Sequence, residues 1–233
     1  MKVCVMSDLH GYLPVAHDAA EITLICGDIV PLNIQSNMDK SREWLKTRFT
    51  YWANNWPSSK IYFIAGNHDF VFERGWNATL SIELNRLSNG KLIYLDSKTT
   101  EEYIDTQGNV HTIYGTPFCH VFGNWAFMYS DEALEELYKR IPENCEIVIS
   151  HDAADINDMG MVPPNVWHPN DSVNAGNAVL ARYIIERSPK YYFCGHIHDG
   201  NHTISNVEGI TMANVSILDD SYRFHYEPIY LDI

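Results

Sequence analysis

Five short polar stretches of this chain each follow an apolar run and carry imidazole, carboxylate or amide groups. They are Ser7-Asp8-Leu9-His10, Gly27-Asp28, Gly66-Asn67-His68-Asp69, Ser150-His151-Asp152 and Gly195-His196-Ile197-His198. Neutral imidazole and carboxylate groups together suit zinc, iron, manganese or nickel ions. Closed structural zinc sites usually contain cysteine, and none of these stretches does. The pattern therefore predicts a site that holds divalent metal ions for chemistry.

A pair of such ions, about 3.5–4 Å apart, shares an anionic bridge and clamps the oxygens of a displacement at phosphorus. Asp28 is the candidate bridge. The other predicted ligands are Asp8, His10 and His198 for one ion, and Asn67, His151 and His196 for the other.

Buried strands are predicted to position these residues. Short apolar runs bounded by turn residues are typical of such strands. Here the runs are Lys2–Met6, Ile22–Cys26, Lys60–Ala65, Glu146–Ile149 and Tyr191–Cys194. Because ligands of open α/β sheets bind at the carboxyl ends of strands, we expect the five polar stretches to meet there.

Helical patterns alternate with these strands, which predicts an α/β fold. The predicted helices are Asp39–Trp56, Ser130–Arg140 and Asn174–Arg187. Turn residues within Glu102–Tyr114 and Asn201–Ala213 predict two hairpins, and the alternating tail Tyr222–Ile233 predicts a last strand.

Length, net charge, apolar runs and cysteine content limit the class of protein and the kinds of partner that we expect. The length of 233 residues predicts one domain over residues 1–233. A formal net charge of −14 disfavours a long nucleic acid as partner. No apolar run could span a bilayer, and the first one ends at Met6, too early for an export signal. The five cysteines lack the spacing of a disulfide framework. We therefore expect a cytoplasmic protein that acts on a small substrate and has no membrane partner.

The remaining histidines and aromatic residues support weaker predictions. Surface positions are predicted for His17, His111 and His225. A place at the rim of the site is the less favoured alternative for His120, His168 and His202. Core packing is the default prediction for the aromatic residues Tyr12, Trp76, Trp125, Phe127 and Trp167, of which the tyrosine and the tryptophans could instead stack on a base.

The order of the five polar stretches, over residues 8–198, resembles the calcineurin-like metallophosphoesterases. The resemblance implies a four-layer α/β/β/α sandwich with two mixed β-sheets and a centre of two divalent ions, with manganese favoured. It also implies Asp28 as the bridging ligand and His68 near the leaving group. In the mechanism that this implies, a hydroxide bridging the ions would attack phosphorus. The predicted catalytic residues are then His68, which would protonate the leaving oxygen, and Asn67, which would donate to the phosphoryl oxygens. Ile113-Tyr-Gly-Thr-Pro-Phe and Gly123-Asn-Trp-Ala-Phe are similar to the metallophosphoesterase-domain-containing branch. That branch implies a phosphodiesterase that acts on small phosphate esters, including cyclic nucleotides.

One departure narrows the expected activity. Protein Ser/Thr phosphatases of this superfamily carry a second Asp and an Arg where this chain has Pro31 and Leu32. Protein phosphatase activity is therefore not expected, and the acidic partner of His68 stays open between Asp69 and Asp152. The alternatives are a phosphomonoesterase or nuclease of the same fold, and a non-catalytic binding scaffold.

Overall fold

Two mixed β-sheets form the centre of the structure, a computed structural model that describes residues 1–164 and 169–233. In chain order their strands and those of two short ladders are β1 (Lys2–Met6), β2 (Ile22–Ile25), β3 (Lys60–Phe63), β4 (Leu92–Tyr94), β5 (Glu101–Ile104), β6 (Val110–Thr116), β7 (Cys119–His120), β8 (Met128–Tyr129), β9 (Ile147–Ser150), β10 (Met161–Val162), β11 (Val173–Asn174), β12 (Tyr191–Cys194), β13 (Ser205–Val207), β14 (Ile210–Asn214) and β15 (Ile229–Asp232).

The first sheet has the strand order β15-β1-β2-β3-β4, and the second has the order β13-β14-β12-β9-β6-β5. In the first sheet, β1 to β4 run parallel and β15 pairs antiparallel with β1. In the second, β6, β9, β12 and β14 run parallel, and β5 and β13 are antiparallel edges. The parallel strands thus direct their carboxyl ends to one edge of each sheet.

Five α-helices lie in the described ranges: α1 (Met38–Trp44), α2 (Thr50–Asn55), α3 (Asn77–Leu87), α4 (Asp131–Tyr138) and α5 (Ala178–Arg187). Two π-helical turns, Leu45–Phe49 and Phe72–Trp76, lead into α2 and α3. The Thr50 hydroxyl donates to the carbonyl of Leu45 five residues earlier, within the wider first turn. None of the helices in the described parts of the chain is long and apolar enough to cross a membrane.

Side-chain alternation in the strands produces the four layers. Val3 and Val5 of β1 pack in one apolar cluster with alternate residues of the second sheet. The two sheets therefore lie face to face. Cys4 and Met6 point the opposite way, into the layer that includes the helices. Since both faces of these strands are buried, they carry continuous apolar runs rather than an alternation of apolar and polar residues. The predicted α/β/β/α sandwich is confirmed.

Most predicted elements are present, with shifted boundaries. The helix predicted over Asp39–Trp56 is divided by the first π-helical turn. The helix predicted from Asn174 begins only at Ala178, because Asn174 pairs in a short ladder and Asn177 caps the helix by accepting from the Leu180 amide. Both hairpins and the last strand are confirmed.

The surface prediction for His111 is wrong. This residue is buried, with Nδ1 2.8 Å from Glu146 Oε2 and Nε2 3.3 Å from Asp105 Oδ2. Two carboxylates from neighbouring loops can satisfy both nitrogens of a buried imidazole, so burial costs it no hydrogen bond.

Candidate metal centre

The five polar stretches meet at the carboxyl edges of the two sheets, as the strand prediction required. A parallel bridge between Ser7 and Ser216 joins the end of β1 to the chain that follows β14. Asp8 connects the two halves of the site, because it accepts from the His196 amide at 3.0 Å and from the Ser216 hydroxyl at 2.7 Å. The site therefore draws its residues from both sheets.

Two glycines allow this close approach. A Cβ atom at Gly66 would lie 2.2 Å from Asp28 Oδ1, and one at Gly195 would lie 2.3 Å from Asp8 Oδ2. Any side chain at either position would displace a carboxylate that the site needs. The glycines that precede the Asn-His and His-x-His stretches are therefore required by the geometry of the site.

Asp8, His10 and His198 form one group of possible ligands, whose ligand atoms all lie within 4.8 Å of one another. His198 Nδ1 donates to the carbonyl of Asp219 at 2.8 Å, and its Nε2 is 3.4 Å from Asp8 Oδ1. Both ring nitrogens of His10 are buried and have no hydrogen-bond partner among the described residues. Such a ring is costly to bury unless a cation accepts its lone pair, so these residues fit a metal ion.

Asp28 and His151 belong to a second group. The Nδ1 atom of His151 donates to the carbonyl of Cys26 at 2.8 Å, so its Nε2 atom is the one that faces the site. This Nε2 lies 2.9 Å from Asn67 Oδ1 and 3.4 Å from Asp28 Oδ2. The His196 ring lies next to His151, with a centroid distance of 5.1 Å. Several acceptor atoms thus converge on one point, which also fits a cation.

Asp28 lies between the two groups. Its Oδ2 atom is 3.5 Å from His10 Nε2 and 3.4 Å from His151 Nε2. Its Oδ1 atom accepts from the amide of His68 at 2.8 Å, which holds the carboxylate in place. This position suits a carboxylate shared by two ions.

The electrostatics of the site favour positive charge between the carboxylates. Burial lowers the pKa of His10 and of His196 to about 4, so both rings are neutral, the form that binds metals. Burial also acts against protonation of His151 and His198, yet Asp28 raises the pKa of His151 to about 10 and Asp8 raises that of His198 to about 9. Burial favours the neutral form of both carboxylic acids, but the surrounding imidazoles bring the pKa values of Asp8 and Asp28 below the ordinary range.

The backbone at several candidate ligands is in the left-handed region. The φ angles are 57° at Asp8, 40° at His10, 52° at Asp28 and 70° at His196. Side chains other than glycine adopt this conformation at a cost of about 1–3 kcal/mol each. Strain of this kind is typical of functional sites, where it directs side chains toward a common point.

His68 lies beside the candidate ligands, and its partner differs from both sequence candidates. Its Nδ1 atom is 2.5 Å from Gln35 Oε1, and its Nε2 atom is 4.0 Å from Asp28 Oδ2. Asp69 instead accepts from the amides of Ile29, Val30 and Gly66. Asp152 pairs with His120. Gln35 lies in the loop before α1, where no pattern in the sequence marks it as a partner.

Cys119 is a second residue that the sequence reasoning missed. Its sulfur belongs to a possible ligand group with His151 and His196, with all ligand atoms within 4.8 Å of one another. Burial raises the pKa of this thiol well above its usual value, so without a metal ion it is protonated. None of the five polar stretches contains cysteine, and this sulfur reaches the candidate ligands from β7 instead.

A cavity of about 550 Å³ opens onto the site. Its lining includes Asp28, Asn67, His68, His120, Phe122, Trp125, His196, His198, Asp199, Asp220 and Tyr222. The core prediction is confirmed for Phe127, but it is wrong for Trp125, which is 37% exposed and whose ring centroid lies 4.5 Å from that of His68. Tyr12 is also exposed and stacks on Phe224 outside this lining.

The three histidines considered for the rim have different outcomes. His120 lines the cavity, which was the less favoured alternative. His202 is not in the lining and stacks on Tyr226, with its Nε2 atom donating to the carbonyl of His198. Trp167 and His168 lie outside the described residues, as does the side chain of Trp76.

The chain belongs to the calcineurin-like phosphoesterase family, whose sequence pattern matches residues 1–200. Together with the candidate ligand groups, this membership makes the protein a metal-dependent phosphoester hydrolase.

Individual relatives agree with the branch suggested by the sequence. The chain is 26% identical to human metallophosphoesterase domain-containing protein 1 over 99% of its own length and 70% of the relative. It is 27% identical to a UPF0046 protein of Caenorhabditis elegans over 97% of its length and 76% of the relative. The fold is similar to phosphopantetheinyl hydrolase from Mycobacterium tuberculosis, with a TM-score of 0.59, 12% identity and coverage of 95% and 90% of the two chains.

Proposed function

We propose that this protein hydrolyses small phosphodiesters, including cyclic nucleotides, with two divalent ions, preferably manganese. One ion would be held by Asp8, His10 and His198, the other by Asn67, His151 and His196, with Asp28 shared between them. When bound, such ions lower the pKa of water and stabilise negative charge on phosphoryl oxygens. The remaining steps belong to side chains of the cavity.

The observation that carries the preference for diesters is the charge of the cavity lining. Among the described lining residues there is no Lys or Arg, and Asp199 and Asp220 add negative charge. A phosphodiester carries one negative charge at neutral pH, whereas a phosphomonoester carries up to two. Because a second charge would find no lysine or arginine beside the ions, the lining favours the diester.

His68 would act as the acid for the leaving group. As the bond between phosphorus and the leaving oxygen breaks, the ring would pass its Nε2 proton to that oxygen. The amide oxygen of Gln35 orients the ring through Nδ1 and adds no negative charge. Because Nδ1 is held by Gln35, Nε2 is the atom left to meet the leaving oxygen.

The aromatic walls favour substrates with planar arms. Trp125 is beside His68, while the Phe122 ring lies 5.2 Å from that of His196 and the Tyr222 ring 5.0 Å from that of His10. Exposed rings around a phosphate site can stack on a nucleobase or an aryl group. This arrangement supports cyclic nucleotides and aryl diesters as substrates.

Charge and cysteine chemistry support the proposed partners and location. The net charge of −14 opposes binding of a long nucleic acid. All five cysteines are free and buried, which is compatible with a reducing compartment. We therefore place the protein in the cytoplasm, with small phosphate esters as its substrates and no membrane partner.

The test compares substrates that share one leaving group. Manganese-loaded protein is assayed with bis-p-nitrophenyl phosphate and with p-nitrophenyl phosphate, and then with cyclic nucleotides and single-stranded DNA. We expect a higher kcat/KM for the diester and turnover of at least one cyclic nucleotide. Preference for the monoester would indicate a phosphomonoesterase, and degradation of DNA would indicate a nuclease. Metal uptake without any turnover would indicate a binding scaffold.

A further inference from the structure

A buried serine outside the five polar stretches contacts the candidate metal centre. Ser216 follows strand β14 and is 1% exposed. Its Oγ atom lies 2.7 Å from Asp8 Oδ2 and 2.9 Å from Asn214 Oδ1. A hydroxyl has only one proton to donate, and its hydrogen bond to a charged acceptor is the stronger one. The Ser216 hydroxyl therefore donates to the carboxylate of Asp8.

The position of Ser216 is fixed by Asn214, which is fully buried. The Oδ1 atom of Asn214 accepts from the backbone amide of Ser216 at 3.0 Å. Its Nδ2 atom donates to the carbonyl of Ile197 at 2.7 Å and to that of Met159 at 3.0 Å. Because the nitrogen faces two carbonyls, the amide cannot be reversed without losing both bonds. Ser216 is thus held by a side chain that also holds Ile197, between the two ligands of the His-x-His stretch.

The two carboxylate oxygens of Asp8 have different surroundings. Besides the Ser216 hydroxyl, Oδ2 accepts from the His196 amide at 3.0 Å, and a Cβ atom at Gly195 would lie 2.3 Å from it. The Oδ1 atom is 3.2 Å from the same amide and 3.4 Å from Nε2 of His198. The Oδ2 atom is therefore held by the protein, and Oδ1 is the oxygen that faces a fellow candidate ligand.

We propose that Ser216 is a positioning residue of the metal centre, whose hydroxyl holds Oδ2 of Asp8 and so presents Oδ1 to the ion of the group Asp8, His10 and His198. This inference rests on the two-ion centre of the proposed function but not on its substrate. Because Oδ2 is held, the carboxylate does not rotate away from the ion. Outer partners that orient metal ligands typically contribute about 10–100-fold to metal affinity.

Titration of the metal-free protein with manganese tests the role of Ser216 without any substrate. Calorimetry of the wild type should resolve two binding steps, one for each ion. Ser216→Ala removes the hydroxyl, and we expect it to weaken one step by about 10–100-fold and to leave the other unchanged. His10→Ala identifies the affected step, because His10 belongs only to the ligand group of Asp8 and His198.

Two further variants separate positioning from general support of the fold. Ser216→Thr keeps a hydroxyl at the same place, and we expect its titration to match that of the wild type. Ser88→Ala is the matched control. Ser88 is also buried, and its hydroxyl donates to the carbonyl of Asn85 at 3.0 Å. Since it precedes β4, it lies toward the amino ends of the parallel strands, away from the centre, and neither step should change.

The outcomes distinguish this inference from the proposed function. Wild-type titration in Ser216→Ala, a parallel weakening of both steps, or a Thr variant that binds as weakly as the Ala variant would overturn it. Absence of diesterase activity would refute the proposed function and leave the titrations valid. If the wild type takes up a single ion, the same comparison on that one step decides: a loss in the Ala variant that Thr restores supports the role, and equal affinities refute it. No uptake of manganese would refute both.

Discussion

His68 and His120 are two imidazoles that line one cavity but have different partners. The Nδ1 atom of His68 faces the neutral amide of Gln35, whereas that of His120 faces the buried carboxylate of Asp152. An amide oxygen orients a ring without adding charge, while a carboxylate also stabilises the protonated ring. In the proposed mechanism His68 gives a proton to the leaving group, whereas the carboxylate of Asp152 raises the pKa of His120.

The surroundings of the two rings also differ. His68 follows the candidate ligand Asn67 directly, and its amide holds Asp28, so its position depends on the metal centre. His120 belongs to the short strand β7 and is tied to Asp152, next in sequence to the candidate ligand His151. His68 is thus attached to the site through Asn67 and Asp28, and His120 through the neighbour of His151, so the two rings reach the cavity from different loops.

The largest effect is expected from Asp28→Asn, which removes the charge shared by both halves of the site. Because ion binding supplies several kcal/mol of transition-state stabilisation, we expect diesterase activity to fall by more than about 1000-fold. Metal content measured by plasma mass spectrometry should fall with it. Asp39→Asn, at an exposed position of α1, is the control for loss of a carboxylate. Full turnover with intact metal content in Asp28→Asn would refute the assignment.

His68→Asn tests the proposed role of His68 as the acid for the leaving group. The variant should retain both ions and lose about 10²–10⁴-fold in kcat, because a positioned acid contributes that much to the departure of a leaving group. The loss should be largest for alkyl leaving groups and smallest for p-nitrophenol, which leaves without protonation. A loss that is independent of the leaving-group pKa would contradict the role of His68 as the acid.

Two variants of Gln35 test the contact between its amide oxygen and Nδ1 of His68. Gln35→Leu removes the acceptor for Nδ1, and we expect kcat to fall roughly 10-fold because the ring loses its orientation. Gln35→Glu gives His68 the kind of partner that His120 has. Because a carboxylate stabilises the protonated ring, activity in this variant should persist to higher pH than in the wild type. Identical pH–rate profiles for the Glu variant and the wild type would show that this contact does not act on the proton of His68.

The smallest effect concerns the contribution of the His120–Asp152 pair to stability. The pKa of His120 is raised in the folded state, so its contribution is present below its ordinary pKa near 6.5 and disappears as pH rises through the folded-state value. The difference in unfolding free energy between wild type and His120→Asn should therefore be larger at pH 6 than at pH 9. Since the ring is partly exposed, we expect a change below about 1 kcal/mol in urea denaturation. An equal difference at both pH values would show that the pair is not ionic.

The elements that were predicted, and the two that were not, show where sequence reasoning was sufficient. The strands that precede the polar stretches were predictable because strands buried on both faces need continuous apolar runs, and a polar residue ends them abruptly. Helix α3 and strand β4 were not predicted. The helix has little apolar asymmetry in its sequence, and β4 is only three residues long, so neither produces a clear periodic pattern.

The sequence by itself determined which kinds of side chain meet at the candidate metal centre. Each candidate ligand lies within a few residues of a strand end, and glycine accompanies the ligands wherever carboxylates must come close, so local patterns contain the information. Tertiary structure alone decided the partners of His68 and His120 and the place of Cys119. Gln35 and His68 are 33 residues apart, and His120 and Asp152 are 32 apart. Such contacts depend on how loops from different strands pack above the sheets, and no local periodicity records that packing.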